Sequence, residues 1–236
     1  MTRKLTLEER REQWASDFDA ADRGVMAMLH RRQVFRGIGD VLNASAVKRH
    51  PTVDNYLVDT YVAAITLAVR RESDPDTRTT SLARCLQQLM DSPKLITRES
   101  FIVRYLESFP ETAEDEASRG FQPFAPFGGD VLDQSMLRAN LDELRDAGTA
   151  VRNFANRFIA HRERLGDAGP PTLTFEEVDR AVNAIAAVAQ RFWSLAHPGT
   201  MRAQMTPIVD LTYIAMFQQP WVTDNFTLTQ RADDHV

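Results

Sequence analysis

Apolar residues recur along this chain at the three- and four-residue spacing of amphipathic helices. The clearest case is a helix predicted over residues 130–165, whose apolar positions form one seam: Leu137, Leu141, Leu144, Gly148, Val151, Ala155 and Phe158. A second helix, predicted over 175–196, begins after a capping box of Thr174 and Glu177 and stops at Pro198. Because a short connection joins the two helices, they should pack antiparallel. The predicted fold class is all-α, a helical bundle with a long antiparallel C-terminal helix pair and an irregular C-terminal tail.

The N-terminal pattern also predicts helices, in which glycines are the positions where a helix would be weakened or interrupted. Thr6 and Glu9 form a capping box at the start of the first helix, in which Gly24 is a weak point. Gly37 and Gly39 lie in a second helical stretch, which we expect to be either kinked or separately packed.

The helix predicted over residues 51–71 carries apolar residues on two faces. One stripe holds Val53, Leu57, Tyr61, Ala64 and Ala68, and the other holds Val58, Val62, Ile65 and Val69. A helix that is apolar on two faces is typical of the middle of a bundle, so we expect this one to be buried there.

The chain divides into a predicted helical domain over residues 1–197 and a C-terminal tail over 198–236. Within the domain, residues 107–129 form a predicted loop that is first acidic and then aromatic, with phenylalanines at 121, 124 and 127 among prolines and glycines. Such aromatic loops usually anchor to the core of their own domain. A partner-docking loop or an active-site lid is the alternative interpretation.

Composition narrows the function classes. The net charge of −5 argues against a polycation that coats nucleic acid generally. The single cysteine, Cys85, excludes an internal disulfide and is expected to be a buried, inert thiol. The N-terminus has no apolar signal region, and the most apolar window is too short to span a bilayer and contains Asp59. The prediction is a soluble, cytoplasmic protein without membrane contact.

Few residues of the chain form a pattern typical of a catalytic or metal-binding site. The five histidines include no pair at one-turn spacing, and a nucleophile elbow G-x-S-x-G is missing, so we predict neither a metal nor a cofactor. The end of the long helix is different, because five arginines against two acidic residues give residues 145–164 a local charge of +3.

Arg157 and His161 are four residues apart in this basic region, and therefore on one helix face. A histidine can accept and return a proton at neutral pH, and a guanidinium can hold a phosphate during phosphoryl transfer. The pair would suffice for metal-free RNA cleavage, in which a 2′-hydroxyl attacks its own phosphate. The alternative is a solubilising helix face.

Two stretches resemble the HEPN superfamily, in particular its abortive-infection, AbiU-like branch. One is "RFIAHRE" at the end of the long helix, and the other is "DTYVAAITLAVRRESDPDTRTTSLARCLQQL", with Arg71 shortly before Asp74 and a Ser81–Leu82 start to the next helix. The resemblance covers residues 10–197. It implies a helical bundle that is often a homodimer, with the motif helices of two subunits meeting in a shared cleft. Active members of this superfamily are metal-independent ribonucleases of antiphage-defence and toxin–antitoxin systems.

The sequence departs from that family at the arginine. The family pattern has four to six residues between an arginine and the histidine, and at the corresponding arginine positions this chain has Phe154, Ala155 and Asn156, with Arg157 one residue too close. Two hypotheses follow. In the first, the protein is such a ribonuclease, with His161 as general acid/base and Arg157 as phosphate ligand; its RNA-binding residues are Arg152, Asn156, Arg162 and Arg164, and an antitoxin or another defence protein is its partner. In the second, it is a non-catalytic, degenerate HEPN dimer that binds a protein or RNA partner.

Arg71 and Asp74 have a structural interpretation that we prefer to a catalytic one. Arg71 would be a charge at a helix C-terminus and Asp74 a turn carboxylate, the two forming a mutual salt bridge.

Overall fold

The protein is an all-α bundle in the computed structural model, which describes residue 3 and residues 5–44, 50–125, 128–160, 173–200 and 202, with 158–160 described by backbone only. Seven α-helices lie in these ranges: α1 Leu7–Ala44, α2 Pro51–Glu72, α3 Leu82–Asp91, α4 Arg98–Ser108, α5 Glu114–Phe121, α6 Gln134–Phe154 and α7 Phe175–Ala196. A 3₁₀ turn, Gln122–Phe124, follows α5, and a π-helical segment, Ala155–Ala160, continues α6. The predicted fold class is confirmed.

The antiparallel pairing of α6 and α7 is visible in their side-chain contacts. Arg191, near the end of α7, donates to Asn140 and Glu143 near the start of α6, the latter over 3.1 Å. All seam positions of α6 with described side chains, from Leu137 to Ala155, are buried. The seam therefore faces the core, where it packs beside α2, α3 and α7.

Two long helices of the bundle, α1 and α2, run antiparallel to each other. The Phe35 ring stacks on that of Tyr61 with centroids 4.0 Å apart, and Gly24, eleven residues earlier, lies against Glu72, eleven residues later. In the N-terminal half of α1, Trp14 and Phe18 are buried in the core. No residue of α1 after Leu29 is fully buried, so its C-terminal third lies at the edge of the bundle.

The first helix differs from the prediction of two stretches. It is continuous from Leu7 to Ala44, and Gly24, Gly37 and Gly39 all lie within it. A helical glycine costs only about 1 kcal/mol relative to alanine, so tertiary packing on α2, α3 and α7 is enough to carry the helix through them.

The second helix also differs from its prediction. Its C-terminal half is buried at Tyr61, Ile65, Ala68 and Val69, but Val53 and Tyr56 remain 53% and 69% exposed. The expectation of a helix buried in the middle of the bundle is thus wrong for its N-terminal half.

The acidic and aromatic segment is more regular than the predicted loop. Its acidic half forms α5, with three carboxylates in the first turn, where their negative charge interacts favourably with the positive end of the helix dipole. Phe121 and Phe124 are buried at 0% and 2% exposure, and the Phe121 ring packs 5.4 Å from that of Phe101. The segment is anchored to its own core, as expected; Phe127 lies outside the described residues.

The domain boundary predicted after residue 197 stays a prediction, and it lies directly after α7. The helix stops at Ala196, and His197 forms its C-cap. Of the predicted tail, residues 198–200 and 202 are described, and the rest lies outside the described part of the chain. Among the described residues there is no helix with the length and hydropathy to cross a membrane.

Candidate functional site

The predicted catalytic region follows the last α-helical turn of α6. At Phe154 the α-helical pattern gives way to the π-helical segment Ala155–Ala160. Single π-helical turns are rare and are found frequently at functional sites, because the wider turn changes the direction of the side chains that follow. Ala155 is completely buried, and the segment packs against α2.

Arg157 and Asn156 are consecutive exposed residues of this π-helical segment. Asn156, Ala155 and Phe154 occupy the positions where the family pattern has its arginine, and of these Ala155 points into the core. His161, Arg162 and Arg164, the other residues predicted to act in catalysis or RNA binding, lie outside the described residues. The structure thus brings Asn156 and Arg157 to one exposed helix end.

Arg152 lies one turn earlier and has a different environment. Its Nη2 donates to the backbone carbonyl of Arg145 over 2.7 Å and to Thr149 Oγ1 over 3.0 Å. Its Nη1 is buried without a hydrogen-bond partner. Burial lowers the pKa of this guanidinium, and the nearby positive charge of Arg145 lowers it further. The Arg152 side chain is therefore held along its own helix.

The α2–α3 corner, which carries the second stretch of the resemblance, lies beside Arg152. A Cβ at Gly148 would be 3.1 Å from Ser73 Oγ and 3.2 Å from Arg152 Nη1, so the three groups meet closely. Asp74 lies near enough to oppose the drop in the Arg152 pKa. A glycine at position 148 lets α6 approach the end of α2.

Glu72 is the buried centre of this corner, with a side chain that is 1% exposed. Its carboxylate accepts from Leu82 N over 3.2 Å and from Arg71 Nε over 2.9 Å. Burial raises the pKa of this carboxyl, and the positive charge of Arg71 partly offsets that rise. Glu72 was not predicted from the sequence, in which its one signal is an acidic residue at the end of an apolar helix.

The expected salt bridge between Arg71 and Asp74 is wrong. Arg71 pairs with Glu72, with Nη2 and Oε1 2.8 Å apart. The backbone carbonyl of Asp74 accepts from Ser81 Oγ, and the Asp74 carboxylate accepts from Asp76 N over 3.0 Å. Ser81 also caps α3 by accepting from Arg84 N over 3.0 Å. These residues build the α2–α3 turn, which is the structural role that we preferred.

The cysteine and the metal ligands give no competing site in the described ranges. Cys85 is fully buried, and burial raises the pKa of its thiol, as expected of an inert side chain. Among the described residues, no three histidine, cysteine, aspartate or glutamate side chains are grouped as metal ligands would be.

Comparison with known proteins identifies one family. The family model HEPN_AbiU2, described as AbiU2, matches residues 44–204, from the end of α1 to just beyond α7. No curated protein and no solved structure matches the chain. The match covers more than half of the chain and confirms the resemblance to the AbiU-like branch of the HEPN superfamily.

Proposed function

Because the chain belongs to the AbiU2 family of HEPN domains, we propose that it is a metal-independent endoribonuclease of an antiphage-defence or toxin–antitoxin system. The observation that carries the proposal is the exposed basic end of α6. Arg145 and Arg157 are exposed there, with the partly buried Arg152 between them, on a protein with a net charge of −5. A local positive region on an acidic protein favours a local contact with phosphates.

The proposed reaction needs only the groups that this region supplies. His161 removes the proton of an RNA 2′-hydroxyl, whose oxygen attacks the adjacent phosphorus. The bond from phosphorus to the 5′-oxygen breaks, and the protonated imidazole returns the proton to that leaving oxygen. Arg157 binds the non-bridging oxygens and stabilises their charge in the transition state. The products are a 2′,3′-cyclic phosphate end and a 5′-hydroxyl end.

RNA binding is assigned to the residues around this pair. Asn156 is exposed beside Arg157 and supplies amide hydrogen bonds, while Arg162 and Arg164 supply further positive charge. Arg152 contributes mainly through its field, because its Nη2 is bonded to its own helix. Such contacts to phosphates give affinity without sequence preference.

The second candidate function is a degenerate HEPN dimer that binds a protein or RNA without cutting it. The buried Ala155 favours it, because this position lies within the family spacing of the catalytic arginine and its side chain faces the core. In this alternative the basic helix end is a binding surface only.

We also propose that the protein acts as a homodimer through α2. A stripe on this helix follows alternating spacings of three and four residues, with Val53, Tyr56 and Leu67 as its exposed apolar residues, the exposed Thr60 among them and the partly buried Ala63 completing it. Val53, Tyr56 and Leu67 are 53%, 69% and 45% exposed. This spacing is the one by which two helices pack along a common seam. α2 also packs against the π-helical segment, so a dimer through α2 would form on a helix that contacts residues 155–160.

The charges on α2 fit an antiparallel pair of these helices. Asp59 lies in the N-terminal half, and Arg70 lies in the C-terminal half on the same flank of the stripe, because eleven residues correspond to just over three helical turns. A twofold axis near the middle of α2 would place the acidic half of one copy along the basic half of the other.

The test of the nuclease is cleavage of a mixed cellular RNA by the purified protein. Wild type should cleave in EDTA and leave 2′,3′-cyclic phosphate ends. His161→Ala should lower the rate by about 10²–10⁴-fold, the range of general acid/base contributions, and Arg157→Ala should also lower it strongly. Arg180→Ala is the matched control, since Arg180 is a well-exposed arginine on α7, and it should cleave as wild type does.

Two results would reject the nuclease in favour of the binding module. One is a wild-type protein that binds RNA but cleaves none of it. The other is a His161→Ala variant that cleaves normally, or whose melting temperature falls by several degrees, which would assign His161 a structural role.

A further inference from the structure

The residues that follow α7 are bonded back to α1. The guanidinium of Arg202 binds the buried carboxylate of Asp22 on α1, and it lies over the Trp193 ring of α7, 4.3 Å from the ring centroid. The backbone carbonyl of Arg202 accepts from Gln190 Nε2, also on α7, over 3.2 Å. The chain therefore leaves residue 202 beside Asp22, at the groove between α1 and α7.

The contacts of α1 with its neighbours leave one of its faces free of them. Towards α7, Asp19 bonds His197 over 2.8 Å and Arg32 donates to Asn183 over 2.7 Å, so the two helices run antiparallel. Towards α2, Gly24 lies against the end of that helix and on a different side of α1. The side opposite the buried residues of α1 therefore faces outward.

This outward side of α1 is apolar in its C-terminal half. Helical periodicity places four residues opposite the buried Val25, and we call them the outer α1 face: Ala27, Val34, Ile38 and Val41. All four are only half-exposed or less, whereas Val53 and Val103, on the outer sides of α2 and α4, are 53% and 51% exposed. The outer α1 face is thus shielded from water on a side where neither α2 nor α7 contacts it.

Residues 203–222 match the outer α1 face in composition. The stretch over 207–222 reads "PIVDLTYIAMFQQPWV", and Asp210 is the one charged residue of the whole segment. So many apolar side chains gain free energy when they are removed from water. The charges are complementary as well, because residues 23–39 of α1 carry four arginines and no acidic residue.

The length of this segment is sufficient to cover the face. Asp22 and Val41 are nineteen residues apart on α1, which is about 28 Å at the helical rise of about 1.5 Å per residue. The twenty residues from 203 to 222 reach about 30 Å even at that rise, and further if extended. Because the segment is tethered beside the groove, its effective concentration there is on the order of millimolar, which favours it over a second copy of the chain.

We propose that the outer α1 face is the docking surface for residues 203–222 of the same chain. The Arg202–Asp22 pair fixes the start of the segment, whose apolar side chains cover the face. The face lies before residues 44–204, which the family model matches, and residues 205–222 lie after them. The contact therefore joins two parts of the chain that the family model does not include, and it does not depend on the proposed nuclease.

The test is limited proteolysis of the full-length protein by chymotrypsin, which cleaves after large apolar and aromatic residues. Cleavage after Tyr213 and Phe217 should be at least about tenfold slower than in a synthetic peptide of residues 203–222, because a docked segment must open before it is cut. Cleavage after Phe226, which lies beyond the segment, serves as the internal reference.

Variants of α1 locate the docking surface. Val34→Glu and Ile38→Glu should each raise the cleavage rate after Tyr213 and Phe217 about tenfold or more, because either carboxylate would be buried against apolar side chains. Val103→Glu is the matched control, since it makes the same change on the outer side of α4, and its cleavage should equal that of wild type. Circular dichroism should show wild-type helix content in all three variants.

Three results would overturn the proposal. One is wild-type cleavage after Tyr213 and Phe217 at the rate of the free peptide. Another is wild-type protection in both Val34→Glu and Ile38→Glu. The third is protection that is lost on about hundredfold dilution, which would show that a second copy supplies the segment. Each of these leaves the nuclease proposal unaffected, because that proposal is tested by RNA cleavage.

Discussion

The Glu72 carboxylate ties α2 to the first turn of α3 and lies directly against α1 at Gly24. It is removed from water, and it has a positive partner, Arg71, whose own side chain is 52% exposed. Asp22 adds a second negative charge nearby, which raises the Glu72 pKa further, although Asp22 has its own partner in Arg202. The folded protein is therefore more stable when the Glu72 carboxyl is protonated.

This environment predicts a pH dependence for Glu72→Gln. Because the folded-state pKa of Glu72 is raised, its stabilising contribution is complete below the unfolded pKa of 4.5 and is lost as the pH rises through the folded pKa. Glutamine resembles the protonated carboxyl, and because it does not ionise, it keeps this stabilising contribution at every pH. The unfolding free energy of Glu72→Gln relative to wild type should therefore rise between pH 5 and pH 8, by about 1.4 kcal/mol for each unit by which the Glu72 pKa is raised. The melting temperature of the variant relative to wild type should rise with it.

Glu177→Gln is the control with the opposite sign. The hydrogen bonds from Thr174, first that of its backbone N–H, lower the Glu177 pKa, so this contribution is present above the unfolded pKa and disappears as the pH falls. The Glu177→Gln variant should be less stable than wild type at pH 7 and equal to it near pH 3. Thermal melts of both variants that change in parallel with pH would contradict the assignment of Glu72.

At the scale of elements, the glycines of α1 predict opposite results for one kind of substitution. A Cβ at Gly24 would overlap Arg71 Nη2 and Glu72 Oε1, whereas a Cβ at Gly39 would have no neighbour within 4 Å. Gly39→Ala should therefore stabilise the protein by about 0.5–1 kcal/mol through the unfolded-state entropy of glycine. Gly24→Ala should destabilise it by about 1–3 kcal/mol, because the buried Glu72 has no room to move.

Urea denaturation of the two variants measures both free energies. Val25→Ala is a useful reference, because Val25 is fully buried beside Gly24 and its truncation reports an ordinary core loss. A stabilised Gly24→Ala variant would show that α1 and α2 separate easily at this position.

How far the sequence predicts these elements depends on where their contacts come from. The α6 seam and the α7 capping box were predictable, because periodicity and capping are local properties of the chain. The continuity of α1 was not, because glycines are read as breaks unless packing partners distant in sequence are known. The exposed half of α2 was missed for the same reason: apolar periodicity marks a face but does not say what covers it.

The candidate site was predictable only in part. Family resemblance and local charge identified the end of α6, but the π-helical turn at Ala155 and the contact of Arg152 with the α2–α3 corner depend on tertiary structure. Glu72 carried no sequence signal as a buried polar group, because its significance comes from its contact with Leu82 on a neighbouring helix.

At the scale of the whole molecule, the acidic protein has an uneven distribution of charge. Arg145 and Arg157 are exposed at the basic end of α6, on a chain whose net charge is −5. Steering of an RNA by the α6 end should weaken with salt, because exposed phosphate contacts are screened within about 10 Å at 0.1 M ionic strength. A monomer has one basic α6 end and so makes few phosphate contacts with an RNA. A homodimer would have two such ends and could make twice as many contacts.

The homodimer proposed through α2 is tested by its mass in solution. Light scattering at micromolar concentration should give twice the chain mass of 26.7 kDa. Leu67→Glu and Tyr56→Glu should each shift the protein to the monomer, because either carboxylate would be buried in the seam opposite apolar side chains. Val103→Glu is the matched control, since Val103 is 51% exposed on α4, away from the stripe, and this variant should remain dimeric. A wild type of single-chain mass, or a Leu67→Glu protein that stays dimeric, would reject α2 as the interface; RNA cleavage by such a monomer would also show that one subunit completes the catalytic site.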